Sequence, residues 1–178
     1  RDPKGYQEVF KQAKEKALKQ LEPNNPMKQK VAEKIWHDFY NSFMDIQDNA
    51  MLISRMPVYQ AGGAEEERWR NLYRDKAFPA EKGKTAPDFR ERPFSYQFHE
   101  TLLRMAMVPE EKPTVSESVR AILNTPLEVF GENLTPQEFI QKYITDPRLS
   151  MGNFLFLINE FLVPVFKDLA REDIEKIQ

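Results

Sequence analysis

From Lys4 to Ser54 the apolar residues return at steps of three and four, and the pattern breaks only once, at Pro23-Asn24-Asn25-Pro26. That period belongs to an α-helix with one buried stripe. Over residues 4–21 the stripe is Tyr6, Val9, Phe10, Ala13, Ala17, Leu18 and Leu21, with Lys11, Lys14, Lys16 and Lys19 opposite. Asn25 followed by Pro26 is a helix start, because Asn accepts an orphan N–H and Pro tolerates having none. A second helix is therefore predicted over Pro26–Ser54, with Val31, Ile35, Phe39, Phe43 and Ile46 in one row and Trp36, Tyr40 and Met44 beside it. At 1.5 Å per residue it is about 42 Å long, the spine of a helical hairpin.

The rest of the chain is shorter and more heavily punctuated. Residues 55–64 read as a loop, Glu65–Lys76 as a short helix, and 77–93 as a long loop stiffened by Pro79, Pro87 and Pro93. Phe94–Met107 is a helix with Phe94, Phe98, Leu102 and Met105 on one face. Thr114 with Glu117, Thr125 with Glu128 and Thr135 with Glu138 each fit a capping box, in which the hydroxyl and the carboxylate satisfy two backbone N–H groups. Short helices over 115–124, 126–130 and 136–145 follow, ended by Asn124 and Gly131 where those occur. After Asp146-Pro147 an apolar, Phe-rich helix runs to Val163. It kinks at Pro164 and gives way to a charged amphipathic tail over 167–178. No window alternates with period two, so no sheet is predicted. The expected fold is all-α: one domain of about six to eight helices, with a long N-terminal helical hairpin packed against several short Pro- and Thr-capped helices.

Composition narrows the chemistry. The chain has 178 residues, no Cys, two His, and 26 Lys and Arg against 28 Asp and Glu, a net charge of −2. No Cys means no disulfide, thiol nucleophile, iron–sulfur cluster or zinc ribbon. The near-neutral balance gives no general attraction to nucleic acid or to an anionic membrane. The most apolar run, Phe154–Phe166, is far short of the roughly 20 residues of a membrane span. The sequence as given begins at Arg1, which reads as a trimmed or processed form, and nothing in it assigns a compartment. Charge is uneven: residues 1–34 carry nine basic and five acidic groups, and residues 126–178 carry five basic and nine acidic. That describes either two ends that pack together or a bipolar surface.

Three partial motifs occur. His37-Asp38 has the doublet of metal-dependent phosphohydrolases without the upstream His that such a site needs. His99-Glu100 begins the zincin pattern, but Leu103 stands where its second His belongs. Gly83-Lys84-Thr85 has the tail of a phosphate-binding loop, with Phe78 in place of the leading Gly. His37, Asp38, His99 and Glu100 remain as a fallback ligand set for a metal-dependent hydrolase. No cofactor fingerprint is present, so no cofactor is expected.

A different set points to a protein surface. Arg68, Trp69, Tyr73, Phe78, Phe89, Arg90 and Arg92 fall around the long loop, and Trp, Tyr and Arg dominate interface hot spots. Residues 65–92 have a net charge of only +1, eight basic against seven acidic, which disfavours nucleic acid. The expected function is a non-catalytic helical interaction module, an adaptor or accessory subunit that binds a protein partner through residues 55–93. The alternatives are the metal-dependent hydrolase and a binder of an apolar ligand between helices, with a small-molecule ligand disfavoured.

Overall fold

The Asn25-Pro26 signal starts a helix where it should. A computed structural model describes residues 3–177, with α1 over Pro3–Leu21 and α2 over Pro26–Arg55. The Asn25 side chain accepts the Lys28 N–H at 2.8 Å. Tyr6 and Tyr40 meet hydroxyl to hydroxyl at 3.0 Å, while Phe10 packs edge-on against Trp36, so the two helices are antiparallel. The chain is all-α and 68% helical.

The remaining helices are α3 (Glu66–Asn71), α4 (Phe94–Met107), α5 (Glu117–Asn124), α6 (Pro136–Phe139), α7 (Met151–Leu157) and α8 (Val163–Glu175). α3, α6 and α7 each run on into a wide, π-type turn, over Leu72–Ala77, Ile140–Ile144 and Ile158–Leu162 respectively. The last of these stands directly before the helix that contains Pro164. Pro164 has no N–H for the carbonyl one turn back, and the widened turn absorbs that gap, so the helix continues into α8.

One hydrophobic core runs through all of this, with α2 at its centre against α1, α4 and α8. Phe39, Phe43, Phe98, Phe139, Phe154 and Phe166 are fully buried, each contributing about 1.5–3 kcal/mol of apolar transfer. The Phe-rich segment is core, as its all-round apolarity implies. The segment over 167–178 is not a tail up to the last described residue: Leu169, Ala170 and Ile174 of α8 are buried. The two charged ends do lie together. Lys28 pairs with Glu175 at 2.8 Å in the expected sense, and Arg171 with Glu22 at 3.1 Å in the opposite one.

The three capping boxes have three outcomes. At Thr135 the box forms in full: its hydroxyl accepts the Glu138 N–H and the Glu138 carboxylate accepts the Thr135 N–H at 3.1 Å. At Thr114 it does not form. The Thr114 backbone is bound to Pro87 and Phe89 of the long loop, and Ser116 precedes α5 instead. At Thr125 the hydroxyl donates back to Ala121 C=O at 2.7 Å, closing α5. The expected 126–130 helix is replaced by a hairpin, β1 (Leu127–Val129) antiparallel to β2 (Glu132–Leu134), with Leu127 opposite Leu134. Phe130 (φ +48°) and Gly131 (φ +83°) are both left-handed, as a two-residue primed hairpin turn requires. Phe130 is 64% exposed and lies against Phe161 and Tyr143. Gly131 thus makes a turn rather than ending a helix, and the expectation of no sheet was wrong by this one hairpin.

These outcomes separate the boxes experimentally. Thr135→Ala is expected to cost about 1 kcal/mol in urea denaturation. Glu128→Ala, in the Thr125 box, one of the two that do not form, should stay within about 0.5 kcal/mol of wild type. Equal losses for the two would contradict the assignment.

Candidate functional site

On α2, Val31, Lys34, Ile35 and Asp38 fall at i, i+3, i+4 and i+7, the spacing of one helical face, and that face borders a groove of about 790 Å³. The second wall is the start of α4, with Phe94, Tyr96 and His99, together with the chain leading into it, Arg90–Pro93. The third is the end of α8, with Asp173, Lys176 and Ile177. A shallower recess of about 290 Å³ shares Asp38, Tyr96 and His99 and adds Asn41, Ser42, Asp45 and Glu100.

Two buried polar side chains hold the groove in shape. Asp173, on α8, accepts the Phe94 N–H at 3.0 Å, the Ser95 N–H at 2.7 Å and the Ser95 hydroxyl at 2.6 Å, and so caps α4 from outside. Gln97 is fully buried. Its carbonyl oxygen accepts the Ser116 N–H at 2.7 Å and its amide donates to Arg92 C=O at 2.8 Å, which fixes the strand of chain that presents Arg90 and Arg92. Sequence periodicity could have marked Asp173. Phe166, Leu169, Ala170 and Ile174 define a buried stripe at steps of three and four, and Asp173 falls within it, where an acid needs partners. Lys176, Tyr96 and Ser42 carried no such signal.

The rim separates its charges into paired and unpaired. Arg90 forks onto Asp88 at 2.7–3.1 Å, and this pairing holds the Asp88 carboxyl down to about 2. Lys34 pairs with Asp38 at 2.7 Å. Arg92 and Lys176 instead lie over aromatic rings, Arg92 5.1 Å from the Tyr96 centroid and Lys176 3.9 Å from that of Phe94. Among the described residues neither has a carboxylate within ion-pair distance. Burial and the Glu100 carboxylate push the Tyr96 phenol above its ordinary value.

Ser42, His99 and Glu100 meet at the recess. Ser42 Oγ lies 2.8 Å from His99 Nδ1 and 2.8 Å from Glu100 Oε1, and Nδ1 is 3.1 Å from the same carboxylate. The single Ser42 proton has two acceptors in reach, the Glu100 carboxylate and the Asp38 C=O at 3.2 Å. A hydrolytic triad places serine and acid on opposite ring nitrogens. Here both converge on Nδ1, and the cluster ties α2 to α4.

The fallback metal set is not gathered. His37 packs against Phe10 and Trp36 on the α1 side of α2, away from this cluster. Among the described residues no three His, Asp or Glu side chains stand where they could hold a metal ion. The seven residues of the expected partner surface do not share one exposed face. Phe78 and Phe89 are 7% and 5% exposed, packed edge-to-face in the core. Trp69 and Tyr73 are half-buried, Trp69 against Tyr59 and Tyr73 accepting from Asn49 at 2.6 Å. Arg70 and Arg74 dock α3 onto Glu110 and Glu111. Arg68 is exposed and pairs with Glu65. Of the seven residues, only Arg90 and Arg92 reach the groove.

Asp45 gives the recess a pH signature. Partial burial, then Asp48 and Glu100, raise its carboxyl above the usual range, although the residue keeps solvent contact. Its ionisation therefore opposes folding. The penalty is complete above the raised folded value and vanishes below the unfolded one, about 4. Asp45→Asn should stabilise the protein modestly at pH 7, with the gain gone by about pH 3, as read by urea denaturation at both. A gain of equal size at both pH values would contradict this. No protein family, curated protein or solved structure matches the chain, so what the groove does is read from its own residues.

Proposed function

We propose that this chain is a non-catalytic helical protein-interaction module, an adaptor or accessory subunit of a larger protein assembly. Its partner docks in the groove between α2, α4 and α8. The observation that carries the reading is the pair Arg92 and Lys176. Each is a cation resting on an aromatic ring at the groove wall with no carboxylate in ion-pair range among the described residues, whereas Arg90 and Lys34 are already paired. Between them lies a partly apolar surface of Val31, Ile35 and Phe94. A partner segment with carboxylates flanking apolar side chains would complete both cations and cover the apolar strip, the arrangement of a polar rim around an apolar centre. Asp38 and Glu91 on the same rim disfavour a polyanion such as nucleic acid. The partner surface is thus shifted from residues 55–93 as a whole to the end of that segment, joined by α2 and α8.

The test is affinity capture from the native source with wild-type protein and with the double variant Arg92→Glu, Lys176→Glu. Both positions are exposed, so the variant should keep its thermal transition. Wild type should retain a stoichiometric protein partner, lost at raised salt, and the double variant should not retain it. Recovery of no stoichiometric partner, or equal retention by the variant, would overturn the proposal.

A further inference from the structure

A second site lies at the far end of the α2–α4 pair, on residues that the docking groove does not use. The two helices run parallel: Ser42 meets His99 near their middles, and Asn49 Nδ2 lies 3.7 Å from Met107 Sδ near their ends. Gln47 donates to the Asp146 carbonyl at 3.3 Å, which brings the chain just beyond α6 and its wide turn to the same place. Three helix C-termini therefore converge there, each presenting the negative end of its peptide dipoles. Between them is a pocket of about 370 Å³ with mainly apolar walls, formed by Ala50 and Ile53 of α2, Ala106 and Met107 of α4, and Thr145 and Pro147. That volume is within the range of small-molecule sites.

The polar side chains in the wall have spent their protons. Ser54 donates to Met51 C=O and Thr145 to Gln141 C=O, both at 2.7 Å. Gln60 donates its amide to Ile53 C=O at 3.0 Å, and Asn49 donates its own to the Tyr73 hydroxyl at 2.6 Å. What remains are lone pairs. Asn49 is 8% exposed, yet its Oδ1 accepts no hydrogen bond from the described residues and is not sealed from solvent. The Ala106 carbonyl, at the end of α4, receives no N–H from them either. A buried carbonyl left open in an apolar-walled pocket is an acceptor awaiting a donor. Among the described residues no acidic or basic side chain lines the pocket. Arg70, which donates to the Met107 carbonyl at 3.3 Å, is itself paired with Glu110, and Arg55, the last residue of α2, is exposed.

We infer that this pocket binds a small protonated amine with an apolar body. The ammonium donates to Asn49 Oδ1, where three helix ends make the potential negative, and the body lies against Ile46, Ile53 and Pro147. A carboxylate has no place in it, because the helix ends repel the charge and the side chains of the wall have no proton to give.

The probe is 2-phenylethylamine at pH 7, where it is protonated. It is titrated into the full chain while the Ile46, Ile53 and Met107 methyl signals are followed by NMR. The controls are 2-phenylethanol, which keeps a donor without the charge, and 3-phenylpropanoate, which has the opposite charge and only acceptors. Saturable shifts at these methyls are expected with the amine. The alcohol should bind about three- to fivefold more weakly, the worth of a cation at helix C-termini, and the carboxylate should give no saturable shift. Ala50→Leu suits a helix and fills the pocket, so it should abolish amine binding while the thermal transition is kept. Asn49→Leu combined with Tyr73→Phe removes the free oxygen and the partner hydroxyl together. It should weaken amine and alcohol alike about fivefold, the loss of roughly one hydrogen bond. No saturable shift at millimolar amine would overturn the inference. So would alcohol or carboxylate bound as tightly as the amine, or undiminished amine binding in either variant once folded.

Discussion

A helix that begins directly after a proline has no side chain of its own in place to take up its first amide protons. α4 begins this way, behind Pro93, with its first turn facing the interior. Its cap comes from the other end of the chain, where the Asp173 carboxylate accepts two backbone N–H groups and the Ser95 hydroxyl. The match works in both directions. The positive end of the helix and three donors make a buried carboxylate tolerable, and the carboxylate fixes the angle at which α8 meets α4. Lys176 lies one turn beyond Asp173 and so comes to rest on Phe94. Two of the three walls of the groove are therefore set by a single side chain, and Gln97 positions the chain that carries Arg92 along the wall between them.

Where helical period and local start signals agreed, the structure was legible from the residues. α1, α2 and α4 have the expected bounds to within one residue at each end, because their apolar stripes are long and nothing nearby competes for their caps. The short elements were less so. Three Thr–Glu pairs are indistinguishable locally, yet only Thr135 is left free to cap. Thr125 is used by the helix before it and Thr114 by a loop remote in sequence. The 126–130 segment became a hairpin because a left-handed Phe130-Gly131 turn and the burial of Val129 outweighed a weak local helix preference.

The site was legible only in part. Phe78 and Phe89 looked like loop aromatics, but residues 87–89 are bonded to Thr114 and draw the loop onto the core. Tertiary pairing of that kind leaves no periodic trace. Arg92 could be named from sequence but not its neighbour Lys176, since nothing local says that residue 176 returns to residue 94. The sequence signal for such joins is an interior polar residue on an apolar stripe. It marks Asp173, and also Arg104, which is fully buried and bonded to Glu111 at 3.0 Å.

If Asp173 is the join on which the groove depends, its amide isostere should show it. Asp173→Asn keeps the shape but presents a donor where two backbone donors already converge. The expected result is a loss of about 2–3 kcal/mol in urea denaturation, with faster hydrogen exchange at the Phe94 and Ser95 amides and little change at the far end of α4. Stability within about 0.5 kcal/mol of wild type, with exchange at those two amides unchanged, would contradict the account.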